Sequence, residues 1–514
     1  MLYPIGIQNF ENIRNGGYVY VDKTALIYKL ATTGKYYFLS RPRRFGKSLL
    51  VSTMEAYFKG RRELFDGLKL ASLEKDWTEY PVLHLDLSGR AYNEGDVLAK
   101  TLDDVLYKWE KEYGSKDRSG IPEIRFGNVI EAAYHKTGRP VVILIDEYDK
   151  PIIDNLDRLE LQNKFREALQ GFYGVMKSKD GFIRFGFLTG VTKIGKMSVF
   201  SGLNNLRDIS MDMEYSDICG ISETDLSDHF AESTKELAES QGVSEENCRQ
   251  RLASMYDGYR FHPKSVGIYN PFSLLNTFKV GEFREYWFET GTPSFLVKVM
   301  KETSYDITSL SDQEADSSLL TDINSAFLNP VPLLYQSGYL TIKGYDEDFQ
   351  MYHLGFPNME VKHGFLNFLM LYYTPVGAET PMMLIARMTR DIRSGKPESF
   401  MERLDALFAR TNYQIQGDSE KDFQYAMYII IELMGEYVET ERTTSNGRTD
   451  ILIMTGEYVY IIEIKTDSTP DEALAQIEEK GYARPYADDP RKVFKIGVNF
   501  SLSDRRIEGW KVVR

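Results

Sequence analysis

The 514-residue chain has only two cysteines, Cys219 and Cys248. So few exclude a disulfide framework and a cysteine-based zinc site, and free buried thiols in a reducing cytosol are the expectation. Its histidines, His84, His135, His229, His262, His353 and His363, show no metal-ligand spacing, so each is read as structural. No apolar run approaches the length that spans a bilayer; Met427–Met434 is short and contains Glu432. The start, Met1-Leu2-Tyr3-Pro4-Ile5-Gly6, has neither the charged region nor the apolar core of a signal peptide. A cytoplasmic protein with no membrane partner is the reading. Positive charge is in short supply: the net charge of −14 gives no global field that would draw the chain onto nucleic acid. Any such contact has to come from local patches or through metal ions. The patches available are Arg41/Arg43/Arg44/Lys47 and the tail Arg505-Arg506, Lys511 and Arg514. Internal repeats and low-complexity segments are absent as well.

What the chain does have is Arg41-Pro42-Arg43-Arg44-Phe45-Gly46-Lys47-Ser48, set between an aromatic run, Tyr36-Tyr37-Phe38-Leu39, and a helix-like segment, Leu49–Met54. Strand, tight loop, Gly-Lys-Ser, helix is the arrangement that holds nucleotide phosphates. Backbone N–H groups along Arg43, Arg44, Phe45, Gly46, Lys47, Ser48 and Leu49 would face the anion, aided by the helix dipole. Lys47 would neutralise the β- and γ-phosphates, and the Ser48 hydroxyl would ligate Mg²⁺. The usual first glycine of this loop is replaced by Arg41. About a hundred residues on comes Val141-Val142-Ile143-Leu144-Ile145-Asp146-Glu147, which reads as a strand buried on both faces and ending in two carboxylates. Ligands of open α/β sheets bind at that end. Asp146 would hold Mg²⁺, and Glu147 would act as general base toward water.

Strands at Tyr36–Ser40, Val82–Leu87, Val141–Ile145 and Phe185–Leu188 alternate with helical patterns such as Val97–Glu112 and Leu159–Met176. That alternation implies a mostly parallel sheet with helices on both faces. Thr189, after the last strand, is a candidate sensor of the γ-phosphate, with Thr192 a weaker one. From about Ile221 the pattern becomes helical, beginning at the cap signals Ser222-Glu223-Thr224-Asp225. It includes an aromatic turn, Tyr256-Asp257-Gly258-Tyr259-Arg260-Phe261, then Tyr269-Asn270-Pro271-Phe272-Ser273 and Tyr286-Trp287-Phe288. These aromatics read as core. Length suggests about three domains, placed at 1–220, 221–380 (a helical, winged-helix-like section) and 381–514.

The last hundred residues carry a second constellation. Asp450 opens the run Ile451–Met454, Thr455-Gly456-Glu457 reads as a turn, and Tyr458–Lys465 as a returning strand. Pairing about the turn sets Asp450 opposite Glu463, close enough that the two carboxylates call for a cation between them. Alternation puts Lys465 on the face of Glu463. Asp450 and Glu463 would hold Mg²⁺, with Mn²⁺ an alternative, and Lys465 would position water or meet developing negative charge. Glu432, on the helical stretch Phe423–Gly435, would be a further ligand. Gln476, on a helix over Asp471–Lys480, would orient water or phosphate.

Tyr20-Val21-Asp22-Lys23-Thr24, RPRRFGKS, LIDEYDKP and Ser201-Gly202-Leu203-Asn204-Asn205-Leu206 resemble the bacterial AAA-ATPase-like domain. Gly447-Arg448-x-Asp450, Glu463-Ile464-Lys465 and Ala475-Gln476-Ile477 with Lys480-Gly481-Tyr482 resemble the PD-(D/E)xK nuclease-superfamily domain that accompanies it. The resemblance covers nearly the whole chain and is weakest about Tyr305–Met382. It implies a P-loop NTPase sheet, the helical middle section and a C-terminal restriction-endonuclease-like α/β domain. It implies an ATP-binding, Mg²⁺-dependent ATPase coupled to a metal-dependent nuclease acting on phosphodiester bonds, with DNA the favoured nucleic acid. The alternative is a nucleotide-gated switch whose nuclease fold binds nucleic acid without cutting it. A third is a nuclease with a vestigial ATPase. An arginine acting in trans, for which Arg207 is a candidate, would imply a homo-oligomer.

Overall fold

The computed structural model describes residues 1–116, 120–193, 199–200, 205–288, 294–321, 329–373, 381–409, 419–435, 439–442, 451–501 and 506–514. Asp450, Arg505, Gly447 to Thr449 and Ser201 to Asn204 therefore lie outside the described residues. The chain divides into two compact units, Met1–Lys362 and His363–Arg514.

In the first unit the apolar runs form a parallel sheet flanked by helices. Its strands are β1 (Tyr36–Ser40), β2 (Val82–Asp86), β3 (Val141–Asp146), β4 (Ile183–Gly190) and β5 (Arg207–Asp208), in the order β2-β3-β4-β1-β5. Every residue of β1 and β3 is buried, as uniform hydrophobic runs require when both faces are covered. The order sets β4 between the strand that feeds the Gly-Lys-Ser loop and the strand that ends in Asp146-Glu147. Helices Val97–Tyr113 and Leu159–Ser178 match their amphipathic patterns. The two-residue edge strand β5 carries no such signal.

The middle section from Ile221 to Lys362 belongs to this same unit. Ser222 and Asp225 form a reciprocal capping box at the start of helix Glu223–Gln241. Asn270 caps helix Pro271–Val280 by accepting from the Phe272 and Ser273 backbone. Phe230, Leu226, Tyr256, Tyr269 and Leu274 join one apolar cluster. The section also holds an antiparallel sheet of Gln313–Ala315, Met351–Gly355 and Thr341–Asp346. The sequence pattern missed it because Gln313–Ala315 has only 3 residues and the other two strands are half polar.

The second unit is built on a mixed sheet in the order Glu439–Arg442, Ile451–Met454, Tyr458–Thr466, Lys492–Ser501, Arg506–Val513. The expected hairpin is present, with Ile451 opposite Ile462 and Met454 opposite Val459. Tyr458–Thr466 then runs parallel to Lys492–Ser501, joined through helix Pro470–Lys480. Glu463 lies opposite Gly497 in that parallel pair. A Cβ at Gly497 would stand 2.2 Å from the Pro470 carbonyl oxygen, so glycine is what lets this helix close on the sheet.

Candidate active sites

The Gly-Lys-Ser loop leaves β1 and enters helix Lys47–Phe58 through Gly46, which has φ of 90° and no side-chain cap. Only glycine holds that angle without strain, and no atom lies within 4 Å of where its Cβ would be. Arg44 also has positive φ, 70°. The Lys47 ammonium is 4 % exposed, donates to the carbonyls of Arg41 (3.0 Å) and Pro42 (3.2 Å), and stands 3.9 Å from Glu147 Oε1. Glu147 follows β3 with φ of 55°, a left-handed conformation unusual for a residue with a side chain and typical of functional sites. Asp146 is 2 % exposed. Burial pushes its carboxyl above the usual range, while the Ser48 hydroxyl, which bonds to it, and the Lys47 charge pull it down. Loop and acidic strand, a hundred residues apart, thus meet across β4.

These residues fit a nucleoside phosphate with its metal ion. An open helix N-terminus, an ammonium resting on neutral carbonyls, and a serine beside a buried carboxylate are the groups such a ligand uses. Among the described residues no group of three or more His, Cys, Asp or Glu side chains converges. A phosphate-bound ion needs none, since Ser48, Asp146 and the phosphate oxygens would share it. A cavity of about 100 Å³ opens beside Gly46 and Leu49 and is walled by Val19, Tyr20, Cys219 and Leu275. Its largely apolar lining suits a nucleobase, and no local pattern marks it because its walls come from stretches far apart in the chain. Cys219 and Cys248 are free and buried, as expected, and burial pushes the Cys219 thiol up to about 11.

The remaining sequence candidates sit in other surroundings. Thr189 is fully buried and its hydroxyl donates to the Leu39 carbonyl inside the sheet, so it is not offered to a phosphate. Thr192 is also buried, and both its N–H (2.6 Å) and its hydroxyl (2.8 Å) donate to Asp149. Asp149 also accepts from the Val191 N–H, and burial raises its carboxyl to about 6. Arg41 and Lys47 are buried, so only Arg43 and Arg44 of that basic run are exposed. Arg207 is exposed on β5 and paired with Asp212 at 2.5 Å. In the tail, Lys511 pairs with Asp471 and the Arg514 guanidinium lies over Phe494.

In the second unit the structure brings together Glu463, Lys465 and Gln476. Glu463 is 2 % exposed and accepts from the Gln476 amide N–H₂. The Gln476 carbonyl oxygen accepts from the Lys465 ammonium. Period-2 alternation therefore sets both strand residues on the face covered by helix Pro470–Lys480, and one amide links them. Thr469 caps that helix and Pro470 starts it, which fixes the turn on which Gln476 stands. Glu432 is half-buried on helix Ser419–Met434. A buried carboxylate beside a lysine suits a hard cation and an anionic substrate.

Comparison with known proteins agrees with this geometry. A family described as "Predicted AAA-ATPase" matches residues 4–200, and the PD-(D/E)XK nuclease superfamily matches residues 418–510. The chain is 36 % identical to "Uncharacterized protein in vnfD 5'region" of Azotobacter chroococcum mcd 1, over 99 % of this chain and 98 % of that one. No solved structure matches.

Proposed function

The chain belongs to the family that joins a predicted AAA-ATPase to a PD-(D/E)XK nuclease-superfamily domain, and from that premise we propose an ATP-binding hydrolase coupled to a metal-dependent phosphodiesterase. In the first unit the loop N–H groups from Arg43 to Leu49 would hold the phosphates, with Gly46 leaving room for their approach. Lys47, seated on the Arg41 and Pro42 carbonyls, would offer its ammonium to the β- and γ-phosphates. Ser48 and Asp146 would hold Mg²⁺, which when bound neutralises developing charge on the phosphate oxygens. Glu147, held at a strained backbone angle beside Lys47, would accept a proton from water. The observation that carries this reading is the approach of Lys47 to Glu147, with Ser48 on Asp146, from opposite sides of β4.

In the second unit Glu463, with Asp450 and Glu432 as proposed co-ligands, would hold Mg²⁺ or Mn²⁺, which lowers the pKa of bound water. Lys465 would meet negative charge on the phosphodiester, and Gln476 would keep Lys465 and Glu463 in register. Nucleic acid, DNA first, is the proposed substrate. The test is an ATPase and plasmid-nicking assay with Mg²⁺ and Mn²⁺ beside Lys47→Ala and Lys465→Ala. Loss of ATP turnover in the first and of nicking in the second is expected. Undiminished nicking by Lys465→Ala would contradict the second assignment. ATP binding with slow, DNA-independent turnover and no nicking would favour the alternative, a nucleotide-gated switch.

A further inference from the structure

Five consecutive residues of the phosphate loop are each met by a residue from the middle section. The Arg41 guanidinium lies 3.8 Å from the centre of the Phe261 ring. Pro42 closes on Gly338, where a Cβ would come within 2.7 Å of it. The Arg43 carbonyl accepts from Trp287 Nε1 at 3.3 Å. The Arg44 guanidinium stands over Phe272 at 4.8 Å. Phe45 packs edge-on against Tyr259 (4.8 Å) and Phe261 (5.6 Å). The aromatic turn that reads in the sequence as core is therefore the outer wall of this loop.

Arg41 occupies the place where such loops usually carry glycine. It is 1 % exposed, and its guanidinium donates to the carbonyls of Ser40, Ser210 and Tyr215. No carboxylate is among those acceptors, so the electron-rich face of Phe261 is a substantial part of what holds the buried charge. The consequence reaches the reacting end of the site. Lys47 rests on the carbonyls of Arg41 and Pro42, the two residues seated against Phe261 and Gly338. A loop poor in glycine takes its shape from outside, through side chains more than two hundred positions away.

We propose that Phe261 is a positioning residue for Lys47: by holding Arg41 it fixes the carbonyls that aim the ammonium at the phosphates. This rests on residues 41–48 being the nucleotide site. The middle section is then part of that site rather than a neighbour of it.

The experiment is calorimetric titration of the full chain with MgATP and with AMP, comparing wild type, Phe261→Met, Phe261→Tyr and Arg41→Gly, each checked for folding by its melting temperature. Methionine keeps the apolar volume but has no ring face. Phe261→Met is expected to weaken MgATP about tenfold, the scale of one desolvated cation–π contact. It should leave AMP, which offers no β- or γ-phosphate to Lys47, nearly unchanged, and Phe261→Tyr should restore MgATP binding. Arg41→Gly, which restores the usual glycine, is expected to weaken MgATP as well. A folded Phe261→Met that binds MgATP like wild type, or that loses MgATP and AMP alike, overturns the inference. So does an Arg41→Gly protein that binds as tightly as wild type, and this second variant decides the matter if Phe261→Met does not fold. Lys47→Ala separates the two claims. If it binds MgATP like wild type, the phosphate-site reading fails. If it alone loses binding, only the role of Phe261 fails.

Discussion

The two candidate sites use the same parts, a buried acid at a strand and a lysine beside it, but assemble them over very different chain distances. Gln476 lies 13 and 11 positions from its partners Glu463 and Lys465, on a helix that directly follows their strand. The phosphate loop depends on β3 a hundred residues away and on Trp287, 244 positions from Arg43. A local site is fixed by alternation, one helix cap and one glycine. A long-range site is fixed only when the whole first unit has folded. Nucleotide affinity should therefore answer to packing far from the loop, and the carboxylate–lysine group mainly to its own hairpin and helix.

The largest expected effect is at the local site. Glu463→Gln or Lys465→Ala should reduce Mg²⁺-dependent nicking by about 10³-fold, the scale of losing a group that meets developing charge. Nicking assays on the purified variants check this, and unchanged cleavage would remove the site from consideration. At the long-range site, Glu147→Gln should cut ATP turnover by about 10²–10³-fold while MgATP binding persists, as loss of a general base does. Loss of binding in place of turnover would make Glu147 a ligand-holding group instead.

A third test uses pH. Burial raises Asp149 from its usual 3.8 to about 6, so the folded chain prefers this carboxyl protonated. Its contribution to stability is full below pH 3.8 and is lost as pH rises through about 6. The whole change amounts to about 3 kcal/mol. Subtracting the melting profile of Asp149→Asn from that of wild type isolates it; a flat difference between pH 4 and 7 would show that Asp149 is charged throughout. The smallest effect is again local. Gly497→Ala should cost about 1–3 kcal/mol, because its Cβ presses on the Pro470 carbonyl and lifts the helix that carries Gln476. Denaturant melts and nicking should fall together, and a stable Gly497→Ala chain with full nicking would show that the helix need not sit so close.

The same contrast governs what could be read from sequence. β1 to β4, the hairpin and the shared face of Glu463 and Lys465 are legible because hydrophobic period and turn chemistry are local. Thr189 is misread because the strand runs on to Gly190, past the end of its apolar pattern, and takes the threonine inside the sheet. Arg41 reads as surface because arginine is rarely buried without a carboxylate, and its partners Ser210, Tyr215 and Phe261 all lie 169 or more positions downstream. β5 is two residues long and leaves no pattern. Asp149 gives no signal of its own, since its partners Val191 and Thr192 follow a different strand.

Equilibrium titration of MgATP into wild type and Lys47→Ala is the sharpest measurement of the phosphate loop's role. Wild type should bind saturably, and its affinity should fall by about 10²-fold or more when the ammonium is removed. Equal affinity in the two proteins would contradict that role.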